Sequence, residues 1–197
     1  MHIIATRAST EQPGAGIIGS LVSAVESATS QSVSTDATDY PATLVPYASS
    51  VSAGVEALTE QLTTQTTDCP DSRIVLMGYS QGANVIGDVL GGGGGGALGR
   101  ETAPIDQDIS EQVAAVILMG DPRHVDGESF QAGTATTDGL FARGQNQSLE
   151  GMADRIQSYC DAGDTFCASG GSIQVHLGYT RKYNAQAEEF VLEKIGG

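Results

Sequence analysis

The sequence predicts an α/β fold, a mostly parallel sheet covered on both faces by helices, in a single domain over residues 1–197. Three observations predict it. Apolar runs of strand length alternate along the chain with stretches whose apolar residues recur at helical spacing. The stretch 73–90, RIVLMGYSQGANVIGDVL, joins one such run to one such helix through a glycine-flanked turn. Of the 197 residues 40% are hydrophobic, enough for one good core, and no internal repeat or linker divides the chain. In such a sheet, functional residues are expected at the carboxyl ends of the strands.

The first strand is the apolar run His2–Thr6, closed by a polar loop over residues 7–14. Ile17, Ile18, Leu21, Val22 and Val25 then mark an amphipathic helix. A Ser/Thr-rich stretch carries a weak strand signal between Val33 and Tyr40 and breaks at Pro41. Ala48, Val51, Val55, Leu58 and Leu62 form the apolar face of a second helix, expected to stop before Asp68-Cys69-Pro70. Residues 74–77 are continuously apolar, the pattern of a strand buried on both faces, and Val85, Ile86, Val89 and Leu90 belong to the helix behind it. Glycines fill positions 91–96. A phosphate loop would require Lys-Ser or Lys-Thr at a set distance, and neither is present, so this run reads as a flexible surface loop. Val113–Met119 is another buried strand, ending at Gly120-Asp121-Pro122. The polar segment 123–151 has no strong period. Residues 156–159 are expected to form the last strand, and Ala187, Phe190, Val191 and Ile195 a closing helix.

Net charge is −15, and Lys182 and Lys194 are the two lysines. Such a surface repels nucleic acid and anionic membranes, and no run approaches the roughly 20 apolar residues of a membrane helix. The expectation is a soluble monomer with neither kind of partner. Tryptophan is absent, which argues against a broad aromatic platform for sugars. Met1-His2-Ile3-Ile4 leads straight into a strand without a secretory leader, so the chain reads as cytosolic or as the mature part of an exported protein. The cysteines favour export. Cys160 and Cys167 enclose the polar, turn-rich DAGDTF, where a disulfide fits better than two buried thiols. Cys69 is left over, and its partner is expected upstream of Met1.

The turn Gly78-Tyr79-Ser80-Gln81-Gly82 follows the pattern G-x-S-x-G. Between a strand and a helix so tight a turn sets Ser80 at its tip with a strained backbone. A Cβ at Gly78 or Gly82 would collide with the neighbouring strand or helix. The Ser80 hydroxyl then faces solvent at the positive end of the helix, and the Gln81 N–H is free to bind an oxyanion. A serine alkoxide is out of reach at neutral pH, so Ser80 needs a base. His2, at the first strand, suits a structural role. His124 follows the 113–119 strand, at the right edge of the sheet. His176 lies beyond the last strand. On this kind of turn the chain order is Ser, acid, His, and His176 alone leaves room for an acid between. Asp164, pinned inside the 160–167 loop, is the acid best placed. This chemistry needs no metal and no cofactor.

Five blocks occur in order: ATRASTE at 5–11, CP-x-x-RIVLMGYSQGA at 69–83, MGDP at 119–122, YCDAGDTFC at 159–167 and VHLGY at 175–179. Through them the chain resembles, over nearly its whole length, the cutinase and acetylxylan esterase family of secreted, mostly fungal serine esterases. The resemblance implies a minimal α/β hydrolase, a three-layer α/β/α arrangement with a five-stranded, largely parallel sheet and no lid domain. It implies Ser80 as nucleophile, His176 as base and Asp164 as its orienting acid. It implies an oxyanion hole from Ser9 and Gln81, Ser9 contributing its N–H and hydroxyl. The family's partner for the Cys69 position, near the amino terminus, is absent here, as are the further cysteines of many acetylxylan esterases.

The MGDP block and Tyr159-Cys160-Asp161 look more like acetylxylan esterases, and the flank Ile173-Gln174-Val175-His176-Leu177 is only partly apolar. The expected substrate is therefore an acetyl ester on cell-wall xylan, the expected site an open cleft with a small acyl pocket, and the expected setting extracellular. One alternative is a cutinase-like hydrolase of aliphatic polyesters. Another is a non-catalytic wall-binding protein, against which the intact Ser80, Asp164 and His176 set argues. Asn146-Gln147-Ser148 has the form of an N-glycosylation sequon on an exposed loop.

Overall fold

The computed structural model describes residues 1–196. Its strands are β1 (His2–Thr6), β2 (Ser34–Ala37), β3 (Ile74–Tyr79), β4 (Val113–Met119), β5 (Gln131–Gly133) and β6 (Ile156–Cys160). Its helices are α1 (Gly19–Ala28), α2 (Tyr47–Asp68), α3 (Gln81–Gly91), α4 (Gln107–Ser110), α5 (Ile173–His176) and α6 (Tyr179–Ile195), with short 3-10 turns between. The strands form one sheet in the order β2-β1-β3-β4-β6-β5, every pairing parallel. This is the α/β hydrolase-like arrangement expected, in three layers.

Side chains alternate even inside the continuous apolar runs, because successive Cβ atoms of a strand point to opposite faces. Ile3, Ala5, Val75, Met77, Ala115 and Ile117 face α1 and α6, where Leu21, Val22, Val25, Ala187, Val191 and Ile195 cover them. Ile4, Ile74, Leu76, Val116, Leu118 and Ile156 face α2 and α3, under Val51, Leu58, Leu62, Val85, Ile86 and Val89. With both faces covered, β1 and β3 are buried along their whole length. Helix α3 is buried at every residue, wedged between the sheet and α2.

Four expectations need correction. The sheet has six strands, not five. The extra one, β5, lies at the edge against β6, and its Gln-Ala-Gly is half-exposed and lacks both an apolar run and a β-branched residue. Backbone pairing alone makes it a strand. The weak signal before Pro41 narrows to β2, and α2 runs through Asp68. The glycine run is not a free surface loop. Gly91, Gly92 and Gly93 are buried, and Gly93 exchanges backbone bonds of 3.2 and 3.0 Å with Thr102. A Cβ on Gly91 would stand 2.7 Å from the Gln147 carbonyl, and one on Gly93 2.7 Å from the Asp88 side chain. Positions 91–94 have no side chains because other parts of the chain occupy that space.

The polar segment after β4 is pinned by buried charge. Asp88 of α3 accepts from Arg123 at 2.8 Å and Arg143 at 2.7 Å, and Arg143 reaches Asp121 at 3.1 Å. Gln147 donates to the Gly93 carbonyl at 2.7 Å. Burial disfavours the Arg143 guanidinium, yet the Asp121 and Asp88 carboxylates outweigh it and hold its pKa above the ordinary value. These contacts tie the 121–147 segment to the helix behind Ser80.

Candidate active site

Ser80 stands between β3 and α3 with φ 54° and ψ −117°, a backbone region that residues with a Cβ rarely enter. The turn survives there because its neighbours lack side chains. A Cβ on Gly82 would lie 2.0 Å from the Thr6 carbonyl of β1, and one on Gly78 would lie 2.7 Å from the Gly82 carbonyl. Bonds from Ser80 N–H to the Met119 carbonyl at 2.8 Å and from Asn84 N–H to the Ser80 carbonyl at 3.0 Å fix the turn to β4 and α3.

The Ser80 hydroxyl lies 2.9 Å from His176 Nε2, and His176 Nδ1 lies 2.9 Å from Asp164 Oδ2. Three residues well separated in sequence thus form one hydrogen-bonded chain above the carboxyl ends of β3 and β6. Asp164 is fully buried and His176 nearly so. Burial pushes the Asp164 carboxyl up, but the hydrogen bonds from His176, Tyr179 and the Cys167 N–H, with the imidazole charge, hold its pKa below the ordinary value. Its loop is closed by the Cys160–Cys167 disulfide. Phe166 N–H and Cys167 N–H donate to Oδ1 at 2.7 and 3.0 Å, and the Tyr179 hydroxyl donates to Oδ2 at 2.7 Å. Phe166 packs edge-on against His176 at 4.5 Å between ring centroids, and Tyr79 donates to the His176 carbonyl.

Gln81 opens α3, so its N–H has no carbonyl one turn behind it. Its side chain is occupied elsewhere, accepting from Ser50 at 2.8 Å and donating to the Thr43 carbonyl at 2.9 Å. Ser9 sits on the loop after β1, half-buried. That loop is organised by Glu11, whose carboxylate accepts from Ala8 N–H and Ile17 N–H, both at 2.7 Å. Arg7 braces it through the Glu11 and Thr38 carbonyls, each at 3.1 Å, and the Tyr40 carbonyl.

The other sequence candidates lie apart. His2 bonds to Ser34 Oγ at 2.8 Å across the β1–β2 pairing. His124 is buried against Gln131 at 3.1 Å, and burial pushes its pKa below the ordinary value. Cys69 is exposed and unpaired among the described residues. Asn146 is exposed on a 3-10 turn (Gln145–Gln147). Two clefts of about 820 and 660 Å³ open beside α2 and beside Pro41, and neither is lined by Ser80 or His176. Glu11 and Tyr179 fall inside the ATRASTE and VHLGY blocks, yet no spacing rule singles out their hydrogen bonds.

A hydroxyl bonded to an imidazole that is held by a buried carboxylate, with the first N–H of α3 on the next residue, is equipped for nucleophilic attack on a carbonyl. Comparison with known proteins gives the family. The family model described as Cutinase matches residues 1–195. The chain belongs to the cutinase family. It is a carboxylic ester hydrolase of the cutinase and acetylxylan esterase kind. This esterase is 35% identical to acetylxylan esterase 2 of Talaromyces purpureogenus, covering 100% of this chain and 87% of that one. It is 32% identical to cutinase 11 of Verticillium dahliae, over 99% of this chain and 68% of that one. Its structure is similar to the catalytic core domain of acetyl xylan esterase from Trichoderma reesei, with a TM-score of 0.91, 34% identity and 98% of each chain covered.

Proposed function

We propose that this esterase is a secreted enzyme, one catalytic domain over residues 1–197, that removes acetyl groups from xylan. The observation that carries the reading is the hydrogen-bonded chain Ser80–His176–Asp164. As Ser80 Oγ attacks the acetyl carbonyl carbon, its proton passes to His176 Nε2, and Asp164 stabilises the imidazolium. The N–H groups of Ser9 and Gln81 receive the negative oxygen. The bond to the sugar oxygen breaks, and that oxygen takes the proton from His176. Water then loses a proton to His176 as it attacks the acetyl-enzyme, and acetate leaves as Ser80 regains its hydrogen.

Acetyl is favoured because the flank of His176, Ile173-Gln174-Val175 with Leu177, is only partly apolar, and neither of the two clefts is lined by Ser80 or His176. The names of the two acetylxylan esterases matched here support the same substrate. The disulfide supports an oxidising, extracytoplasmic setting. In a eukaryotic secretory route Asn146 is the proposed glycan acceptor.

The test is direct. An organophosphonate is expected to label Ser80 alone. Ser80→Ala is expected to lose at least about 10³-fold in turnover. Acetate is expected from acetylated xylan, and its absence would overturn the substrate. One observation favours a second reading, an aliphatic polyester hydrolase. The exposed large apolar residues Leu44, Val45, Leu140, Ile173 and Leu177 all lie on segments that follow the carboxyl ends of strands. Release of hydroxy fatty acids from cutin, without acetate from xylan, would select that reading.

A further inference from the structure

Asp164 receives four hydrogen bonds. Two come from backbone N–H groups of its own loop, one from His176, and one from Tyr179, which opens α6 three residues after His176. The last has no place in the mechanism above. Tyr179 is 1% exposed, so its hydroxyl must find partners inside the protein.

The direction of its hydrogen is forced. Three groups lie within reach of the hydroxyl: Asp161 N–H at 2.9 Å, Cys167 Sγ at 3.2 Å and Asp164 Oδ2 at 2.7 Å. The backbone N–H can only donate. The sulfur belongs to the disulfide, carries no hydrogen and is a weak acceptor. The carboxylate is the strong acceptor, so the phenolic hydrogen goes to Asp164 while a lone pair takes the Asp161 N–H.

The ring is held as firmly as the hydroxyl. It stacks on Tyr183 at 6.2 Å and meets Tyr79 edge-on at 6.0 Å. Gly120, at φ +66°, leaves room for both rings: a Cβ there would lie 2.8 Å from His176 Cε1 and 3.1 Å from Tyr179 Cε2.

We propose that Tyr179 is a positioning residue for ester hydrolysis, its hydroxyl orienting the Asp164 carboxylate toward His176 and drawing charge from the oxygen that the imidazole meets. The inference rests on Ser80, His176 and Asp164 acting as nucleophile, base and acid. Oδ2 serves both Tyr179 and His176, so the two donors compete for its electron density. With the phenol present the carboxylate stabilises the imidazolium less. Without it Asp164 holds the proton on His176 more tightly, and one restraint on its rotation is gone. The other titratable or charged groups around this trio are Tyr79 from β3, His124 beyond β4, Asp161 beyond β6, Arg181, Lys182 and Tyr183 from α6, and Glu11 from the loop after β1. Asp161 is itself engaged by Lys182 at 2.6 Å and Tyr183 at 2.7 Å. Tyr179→Phe leaves all of these groups in the chain.

The experiment measures kcat, KM and the pH profile of kcat/KM on a small acetate ester. In Tyr179→Phe, kcat is expected to fall about tenfold to a hundredfold, the range for losing a hydrogen bond to a charged group, with KM within about twofold. The acid limb is expected to move to higher pH by about half a unit or more. A lower kcat with an unmoved acid limb, or an unchanged enzyme, overturns the proposal. Placing 3-fluorotyrosine at position 179 keeps the ring and makes the phenol a stronger donor. The acid limb is then expected to move to lower pH, and an unmoved limb overturns the proposal even where Tyr179→Phe does not fold. Phosphonate labelling separates the two levels. Ser80 labelled with an unmoved limb removes the role of Tyr179 alone, whereas Ser80 unlabelled in the parent enzyme removes the reading beneath it.

Discussion

Ser80 is held at a positive φ of 54° by its bonds to Met119 and Asn84, and a conformation of this kind costs on the order of 1–3 kcal/mol for a residue with a Cβ. Glycine removes that cost and gives back part of the gain through its looser unfolded chain. Ser80→Gly is therefore expected to abolish turnover while raising stability by about 1 kcal/mol, a midpoint rise of about 2–4 °C in calorimetry. A lower midpoint would show that the turn stores no strain. Glu128 makes a second test. Burial pushes its carboxyl up to about 7, with Arg143 opposing and Asp121 adding. The folded value lies above the unfolded one, so the folded state binds this proton more tightly. The stability that protonation gives is complete below about pH 4.5 and is lost as pH rises through about 7. Glu128→Gln is expected to raise the midpoint at pH 8 by the equivalent of about 1 kcal/mol, allowing for its partial exposure, and to leave it unchanged at pH 4. At this scale the sequence was informative where chemistry restricts residue type and order. A nucleophile on a tight turn needs glycines beside it, and Asp164, inside a loop bounded by two cysteines, lies between Ser80 and His176 in the chain order expected of such a set. It was silent on Glu11 and Tyr179, because a hydrogen bond to a backbone N–H or to a buried carboxylate leaves no periodic trace.

Among the elements, those whose apolar pattern exceeds the length of a turn were legible: β1, β3, β4, β6 and the helices α1, α2, α3 and α6. Segments made by contact with something else were not. Edge strand β5 exists through its pairing with β6, and the buried half of the glycine run exists through Gln147 and Asp88. Strand β6 and Gln147 both lie far along the chain from the segments they shape. The 160–167 loop lies between these cases, since its cysteines announce a bridge but not the two N–H groups it turns onto the carboxylate it carries. Cys160 and Cys167 are separated by seven positions, so the bridge closes a short loop and is expected to contribute about 2–3 kcal/mol. Cys160→Ala/Cys167→Ala should lower the urea midpoint accordingly. It should also reduce kcat more than it raises KM, because the loop supplies two of the N–H groups that fix Asp164. A variant with lowered stability and unchanged kcat would show that the loop keeps its shape unaided.

For the whole molecule, charge and apolar exposure divide the surface. The net charge of −15 spreads over a chain with nine basic residues, while the exposed large apolar side chains gather on segments at the carboxyl ends of the strands. Ile173 and Leu177 flank His176, and Leu44 adjoins Thr43, whose carbonyl accepts from Gln81. The flank that reads as partly polar in sequence thus presents Ile173 and Leu177 outward. Such residues help a long acyl chain only if it lies along them. A methylene on an apolar wall contributes about 0.8 kcal/mol, roughly fourfold in rate at best, and one left in water contributes nothing. The exposed residues stand on separate segments, 44–45, 140 and 173–177, and the two clefts of about 820 and 660 Å³ are lined by neither Ser80 nor His176. The acyl group therefore meets little continuous wall beyond its first carbons. The specificity constant across simple esters is expected to peak at two to four acyl carbons and to fall clearly by eight. Val45→Ser and Leu177→Ser should change the eight-carbon ester by less than about fourfold each. A maximum at six carbons or more, with those substitutions cutting it further, would show that the segments act together as one acyl track. The polyester reading would then replace the acetyl one without moving Ser80, His176 or Asp164 from their proposed roles.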